Sequence, residues 1–261
     1  MISKIPKIIH YCWYGRGEKS AAIKMCIESW RKFCPDWEIK EWNEDNSPMH
    51  IRWMHDAYKH QKYAFVADYA RFYALYTEGG VYMDTDMLLI KPIDEFLDDD
   101  MFIGREDQYN ASMGIIGMTQ GNSFCKEIMD YYNQSTFDLV KPPIITRFLT
   151  PKLFQYGLTE EDITQHLSNG LVVYQSDYFY PIHYTQDFEL QDVHAYQKSN
   201  TYGIHLWNKS WTDEFRLFEA GEYKLGFTEV KKRLKRTPIL PFSYWKKVIK
   251  YIGRYLGLWK R

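Results

Sequence analysis

Residues 63–89 read YAFVADYARFYALYTEGGVYMDTDMLL, and three pieces follow one another along that stretch. From Ala64 to Thr77, Phe65, Tyr69, Phe72, Tyr73, Leu75 and Tyr76 recur at helical spacing with no Gly or Pro among them, which predicts a helix. Gly79-Gly80 then offers the left-handed dihedrals that a helix end requires. Val81-Tyr82-Met83 reads as a short buried strand running into Asp84-Thr85-Asp86.

These pieces place charge. Asp68 and Arg71 are three apart on a helix, so they share a face and reach one site. Asp84 and Asp86, two apart at the end of an extended strand, point the same way, roughly 7 Å apart along the chain. Two hard oxygen ligands suit Mg2+ or Mn2+, and strand carboxyl ends are where open α/β sheets bind ligands. An isolated D-x-D is common in surface loops. Delivered by a buried strand, after a Gly-Gly turn and an Asp-x-x-Arg helix, it is far more specific.

The stretch VADYARFYALYTEGGVYMDTDML resembles the signature of glycosyltransferases with a DXD sugar-binding region. These include bacterial capsular and lipopolysaccharide sugar transferases, yeast α-mannosyltransferases and the glucosylating domain of clostridial toxins. The resemblance implies an α/β fold of the GT-A type, a mixed, mostly parallel sheet flanked by helices. It also implies a divalent metal holding a nucleotide-sugar diphosphate, with UDP-hexose the favoured donor and GDP-mannose the second. By the same resemblance Asp84 and Asp86 hold the metal, Asp68 and Arg71 hold donor sugar hydroxyls, and Tyr82 belongs to the donor site.

Length and composition agree with such a reading. A chain of 261 residues, 45% hydrophobic and 26% charged, can build one α/β domain with a full core. Cys12, Cys26, Cys34 and Cys125 show neither metal-ligand spacing nor a paired framework, which points to a reducing compartment. Met1-Ile2-Ser3-Lys4-Ile5-Pro6 leads straight into a strand, so no secretory leader is expected. No uncharged apolar run is long enough to span a bilayer. The expected location is cytoplasmic, peripheral on the inner face of the cell membrane.

The near-zero net charge hides an asymmetry. Residues 230–261 hold eleven Lys or Arg and no acid, which leaves 22 basic against 34 acidic residues before them. The expected organisation is a catalytic domain over 1–227 and a basic amphipathic tail over 228–261. Within the tail, Trp245, Val248, Ile249, Ile252, Tyr255, Leu256 and Trp259 are read as one apolar helix face, with Lys246, Lys247, Lys250 and Arg254 elsewhere. Aromatic, apolar and basic faces together describe an interfacial helix, so residues 231–261 are expected to meet an anionic membrane surface. No fold motif supports nucleic-acid binding.

Along the chain, Lys7 to Trp13 reads as a first central strand, Ala21 to Phe33 as an amphipathic helix, and Asp36 to Trp42 as a half-exposed strand. Strand-helix-strand is how a doubly wound sheet begins. His10 reads as core, and the histidines around a helix over 51–61, His50, His55 and His60, as solvated surface. Met101 to Arg105 and Leu171 to Tyr174 read as strands, and Gly121-Asn122-Ser123 as the cap of a helix over 124–132. By resemblance, Trp13 stacks on the nucleotide base and Asn110 lies beside the donor sugar.

A second cluster, Tyr202-Gly203-Ile204-His205-Leu206-Trp207-Asn208-Lys209-Ser210-Trp211, is similar to the closing "His…Ser-Trp" motif of those transferases. The likeness implies His205 as a metal ligand, Ser210 and Trp211 as a loop over the pyrophosphate, and Lys209 near phosphate charge. The implied activity is retaining hexosyl transfer to a glycan or lipid-linked oligosaccharide acceptor, in surface polysaccharide synthesis. Two rival readings use the same aspartates: a phosphatase of the haloacid-dehalogenase type, which usually carries its D-x-D near the N-terminus, and a silent nucleotide-sugar binder. A glycosidase with paired carboxylates finds no support in the helix-Gly-Gly-strand context.

Overall fold

The computed structural model describes residues 3–140, 142, 144–208, 214–236 and 239–258. Its centre is a seven-stranded sheet built from β1 (Ile8–Cys12), β2 (Glu38–Trp42), β3 (Gly80–Met83), β5 (Met101–Arg105), β6 (Ala111–Met118), β7 (Gln165–His166) and β8 (Leu171–Tyr174). The strand order is β2-β1-β3-β6-β5-β8-β7. β1 pairs in parallel with β2 and β3, and β5 with β8, while β6 and β7 run the other way. A separate ladder joins β4 (Met87–Leu89) to β9 (Gly203–His205).

Alternation along the strands separates two apolar layers. Ile9, Val81, Phe102, Ile115 and Val172 face one layer with α1 (Ala21–Phe33). Cys12, Tyr82, Ile103, Ile116 and Val173 face the other, with α2 (Arg52–Lys59), α3 (Tyr63–Glu78), α4 (Ser123–Gln134) and α5 (Ile145–Phe154). Because α3 lies in the middle of its layer, it is apolar nearly all round: Phe65, Val66, Phe72 and Leu75 are buried along with Asp68 and Arg71. Gly79 ends it at φ +69°, and a Cβ there would meet the Gln120 amide at 2.7 Å. The chain thus turns from helix into β3 within two residues.

His10 sits in the core as expected, accepting from the Trp42 indole at 3.0 Å and bonded through Nε2 to the Gly79 carbonyl. His60 does not lie in solvent. It is half-buried against Phe137, and burial lowers its pKa. The four cysteines are free and buried.

The C-terminal region departs from the expected division. The boundary between 227 and 228 falls inside α7 (Tyr223–Arg236), which packs with α6 (Glu214–Glu219) and α8 (Phe242–Tyr255) around Phe215, Phe218, Val230, Tyr244, Val248 and Tyr251. Glu214, 1% exposed, accepts from Arg233 and from the Tyr244 hydroxyl at 2.7 Å. Lys247 Nζ reaches the Val140 carbonyl at 2.8 Å, and Arg233 the His60 carbonyl at 3.2 Å. The helices are therefore joined to the body by part-buried polar contacts as well as by apolar packing.

α8 is apolar on two faces rather than one. Tyr244, Val248 and Tyr251 point inward, and Phe242, Ile249, Ile252 and Leu256 point out, beside exposed Lys246 and Lys250. Val248 was expected among the outward residues and is buried because α6 and α7 cover that side. Trp259 lies outside the described residues. Among the described residues no helix is long and apolar enough to cross a membrane.

Candidate active site

At the carboxyl ends of β1 and β3, and against the start of β6, the sheet opens into a cavity of about 660 Å³. Asp84, Asp86, Asp68 and Arg71 all line it. Asp84 follows the last residue of β3, and the Met87 amide donates to the Asp84 carbonyl at 2.9 Å, closing a turn over Asp84-Thr85-Asp86. The two aspartates are thus on a turn and not on the extended strand that the D-x-D spacing suggested. Turning the chain there lets both carboxylates face one point.

The β4–β9 ladder supplies the third group. Met87 pairs with His205, and the Leu206 amide donates to the Asp86 carbonyl at 2.9 Å. His205 Nε2 lies 3.3 Å from Asp86 Oδ1 and 3.7 Å from Asp84 Oδ2. One ligand atom from each of Asp84, Asp86 and His205 lies within 4.8 Å of the others. Both ring nitrogens of His205 are buried without a hydrogen-bond partner. A buried imidazole with no partner, facing two carboxylates, is the donor set of a divalent cation such as Mn2+ or Mg2+, so the residues present fit the metal that the DXD region implies.

Around that trio the charges are coupled. Burial pushes Asp84 upward, but Arg71 and His205 outweigh it and leave the carboxyl below its ordinary value. Burial pushes His205 down, and Asp86 and Asp84 reverse that and raise it. Arg71 Nη2 donates to Asp68 Oδ1 at 3.0 Å and Nη1 to the Met113 carbonyl at 2.7 Å, with Asp84 Oδ1 3.6 Å away. One guanidinium thus serves two carboxylates. Burial dominates at Asp68 and lifts it to about 7 despite Arg71. Tyr82 lies under the Arg71 guanidinium at 4.7 Å, and its hydroxyl donates to Asp84 Oδ1 at 2.8 Å. It is in the cavity wall, but its polar atom is engaged in orienting a carboxylate.

Trp13 lines the cavity, its indole donating to the Gly17 carbonyl at 2.7 Å with Lys19 over the ring. Asn110 also lines it, and its amide is turned to Asp107, 3.1 Å from each carboxylate oxygen. Lys209, Ser210 and Trp211 lie outside the described residues.

Sequence reasoning missed several lining residues. Trp207, at φ +50°, sets its ring edge-on to His205 at 4.3 Å and donates to the Ile182 carbonyl. Gln61, at φ +54°, and Arg216 of α6 are others. The most consequential is Glu106, just after β5, whose carboxyl burial pushes up to about 7 with help from Asp107. In sequence, Glu106-Asp107-Gln108-Tyr109 is merely a polar loop; only the fold half-buries its first residue.

Residues 20–103 match the family described as "Glycosyltransferase sugar-binding region containing DXD motif", and residues 118–223 the "Alpha 1,4-glycosyltransferase conserved region". The chain is similar to the human alpha-1,4-N-acetylglucosaminyltransferase, 25% identical over 216 residues, covering 79% of this chain and 58% of that protein. It is also similar to inositol phosphoceramide mannosyltransferase 3 of Schizosaccharomyces pombe, 27% identical over 158 residues, 58% of this chain and 43% of that one. The human lactosylceramide 4-alpha-galactosyltransferase is 23% identical over 55% of this chain and 41% of its own length. The chain spans about half the length of these relatives. Among solved structures, the PaToxG glycosyltransferase superposes with a TM-score of 0.43 at 17% identity, covering 59% of this chain and 72% of that one. A glycosyltransferase involved in glycosylation of the major capsid of PBCV-1 gives 0.41 at 12%, covering 78% and 96%. The observed fold is α/β, a mixed sheet with helices packed on both faces.

Proposed function

We propose that this chain, which belongs to the glycosyltransferases whose sugar-binding region contains a DXD motif, transfers a hexose from a nucleotide diphosphate sugar to a lipid-linked or glycan acceptor with retention of configuration. The observation that carries the reading is the convergence of Asp84, Asp86 and His205 within 4.8 Å at the cavity that Asp68 and Arg71 also line. A divalent ion held there supplies Lewis-acid stabilisation to the departing diphosphate. Asp84 and Asp86 would hold it from the β3–β4 turn and His205 from β9. Asp68 and Arg71 bind donor sugar hydroxyls from α3, and fixed charge in a partly dry cavity favours the developing negative charge over a uniform bound state. Trp13 stacks on the base, UDP being favoured, and Ser210 and Trp211 complete the donor site.

Of the acceptor classes, a lipid-linked one fits best. Two of the relatives carry sphingolipid names, lactosylceramide and inositol phosphoceramide. On this chain, the outward face of α8 combines Phe242, Ile249 and Leu256 with Lys246 and Lys250, a composition suited to an anionic membrane surface. The enzyme then works as a peripheral protein at the inner face of the cell membrane, in assembly of a surface glycan.

The test is nucleotide-sugar hydrolysis across UDP-glucose, UDP-galactose, UDP-N-acetylhexosamines and GDP-mannose, with Mn2+ and with chelator. Slow metal-dependent release from one donor is expected and names it. Silence on every donor, with no thermal shift from any nucleotide, turns the reading to a catalytically silent protein on the same fold. Phosphate release from a simple ester would favour a phosphatase.

A further inference from the structure

Beside the main cavity lies a second, more open one of about 540 Å³, whose wall includes Tyr109, Tyr180 and Gln186. Among the described residues Glu106 is the one that lines both. Its position is built rather than incidental. Arg105, wholly buried, holds the loop by donating to the carbonyls of Asp107 at 2.9 Å, Gln108 at 2.6 Å, Thr159 at 3.1 Å and Glu161. The Asp107 carboxylate accepts from the Tyr109 and Asn110 amides at 2.7 and 2.8 Å. The Glu106 amide donates to the Asn110 carbonyl at 2.9 Å. Burying an arginine to fix a five-residue loop presents one side chain in a fixed direction.

That side chain is unspent. Among the described residues the Glu106 carboxyl has no hydrogen bond and no ion pair, and it stands outside the group formed by Asp84, Asp86 and His205. Glu106 is half-buried, with its carboxyl at the junction of the two cavities and Asp107 and His205 as its charged neighbours, and acidic groups so placed gather where a ligand completes them. A carboxylate accepts from hydroxyls, and a sugar offers several. The junction of two cavities, one holding the donor, is where an acceptor hydroxyl has to meet the donor's anomeric carbon.

We propose that Glu106 is a catalytic residue that receives the proton of the attacking hydroxyl, and that the second cavity takes the sugar end of a carbohydrate acceptor. This rests on the transferase reading above. In the step, the acceptor oxygen approaches the anomeric carbon from the face that the diphosphate leaves, so configuration is retained, and its bond to that carbon forms as the bond from the carbon to the phosphate oxygen breaks. The bonding pair leaves with the diphosphate, and the hydroxyl proton passes to Glu106 and from there to water. Without an acceptor, water occupies the same place, so hydrolysis of the donor uses Glu106 too. Tyr109, 54% exposed at the rim of the second cavity, offers a ring to a sugar face.

The test compares wild type with Glu106→Gln, which keeps shape and removes the base, and with Gln186→Trp, which fills the second cavity. UDP binding with Mn2+ is read by calorimetry, and nucleotide release from the donor sugar is read with water alone and with methyl hexosides as acceptors. Glu106→Gln is expected to slow release about a hundredfold with UDP binding within about twofold of wild type. Gln186→Trp is expected to abolish the stimulation of release by methyl hexosides, read as the ratio of release with and without them in the same variant. Release at the wild-type rate in Glu106→Gln, or a loss of UDP binding that matches the loss of release, overturns the assignment of Glu106. Unchanged hexoside stimulation in Gln186→Trp overturns the second cavity. A wild type that neither binds UDP with Mn2+ nor releases nucleotide from any donor sugar overturns the transferase reading, and this proposal with it.

Discussion

The imidazole of His205 lies against the backbone of Gly114: a Cβ built on that glycine would stand 3.1 Å from His205 Nε2 and 2.9 Å from the Tyr180 hydroxyl. β6 therefore carries a glycine at the one point where β9 must press its histidine toward the aspartates. Gly114→Ala should displace the ring by a few tenths of an ångström and weaken Mn2+ binding about tenfold, as loss of a ligand's support typically does. Calorimetric titration with Mn2+ checks this; wild-type affinity in the variant would mean that His205 is not a ligand.

Asp86 bonds through Oδ2 to the Asn208 amide at 2.7 Å while Oδ1 faces His205. It belongs to a turn rather than to either apolar layer. Asp86→Ala should abolish metal-dependent nucleotide release and leave the melting temperature within a few degrees of wild type. Substantial activity in that variant would sink the metal assignment.

Arg71 answers to Asp68, Asp84, the Met113 and Ala67 carbonyls and the Tyr82 ring, at 5% exposure. Removing one partner of a buried ion pair leaves charge uncompensated. Arg71→Met should cost about 3–5 kcal/mol of stability, read by urea unfolding. Asp68→Asn should cost less, because that carboxyl already sits near 7. Its effect should appear mainly as a raised KM for the donor sugar.

Glu106 gives a pH dependence with a defined sign. Its carboxyl ionises near 4.5 in an unfolded chain and is pushed up to about 7 by burial in the fold. Between those values the folded chain binds more protons than the unfolded one, so this group's contribution is complete below pH 4.5 and is lost as pH rises through 7. Glu106→Gln carries no such dependence. It should be more stable than wild type above pH 7, by roughly 1–3 kcal/mol, with the difference fading toward pH 4.5. Thermal melts at the two ends of that window measure it.

The outward stripe of α8 predicts vesicle binding. Wild type should sediment with vesicles rich in phosphatidylserine and not with phosphatidylcholine alone, and salt should release it. Ile249→Asp with Leu256→Asp should remove binding, while Lys246→Glu with Lys250→Glu should weaken it by about 1 kcal/mol per charge removed. Equal binding to both lipids would set aside the anionic-surface reading.

Much of this was legible in the sequence, for identifiable reasons. α3, its glycine end and β3 combine a long periodic signal with a breaker, and α1 appears at its predicted limits, Ala21–Phe33. The approach of His205 to the aspartates was not legible from spacing. It depends on two three-residue strands, β4 and β9, too short to carry a period, and was anticipated only through the family likeness. Glu106 was invisible because its surroundings, not its neighbours in the chain, set its burial. The face of α8 was misread because helical periodicity finds apolar residues without saying which of them another helix will cover.

The β4–β9 ladder has a temporal side as well. Met87 and His205 lie more than a hundred residues apart, and the ladder that joins them has three paired positions, flanked by bonds from the Leu206 amide to the Asp86 carbonyl and from the Ile90 amide to the Tyr202 carbonyl. Closing so distant a contact carries a large chain-entropy penalty with few hydrogen bonds in return. The ladder is thus a late step in folding and an early one in opening, and the main sheet shares no strand with it. Amide exchange at Leu206 should outpace exchange at Ile116 of β6, and the difference should shrink when Mn2+ and UDP are added. Ligand, on this view, does more than occupy the site: it fastens the last seam of the molecule.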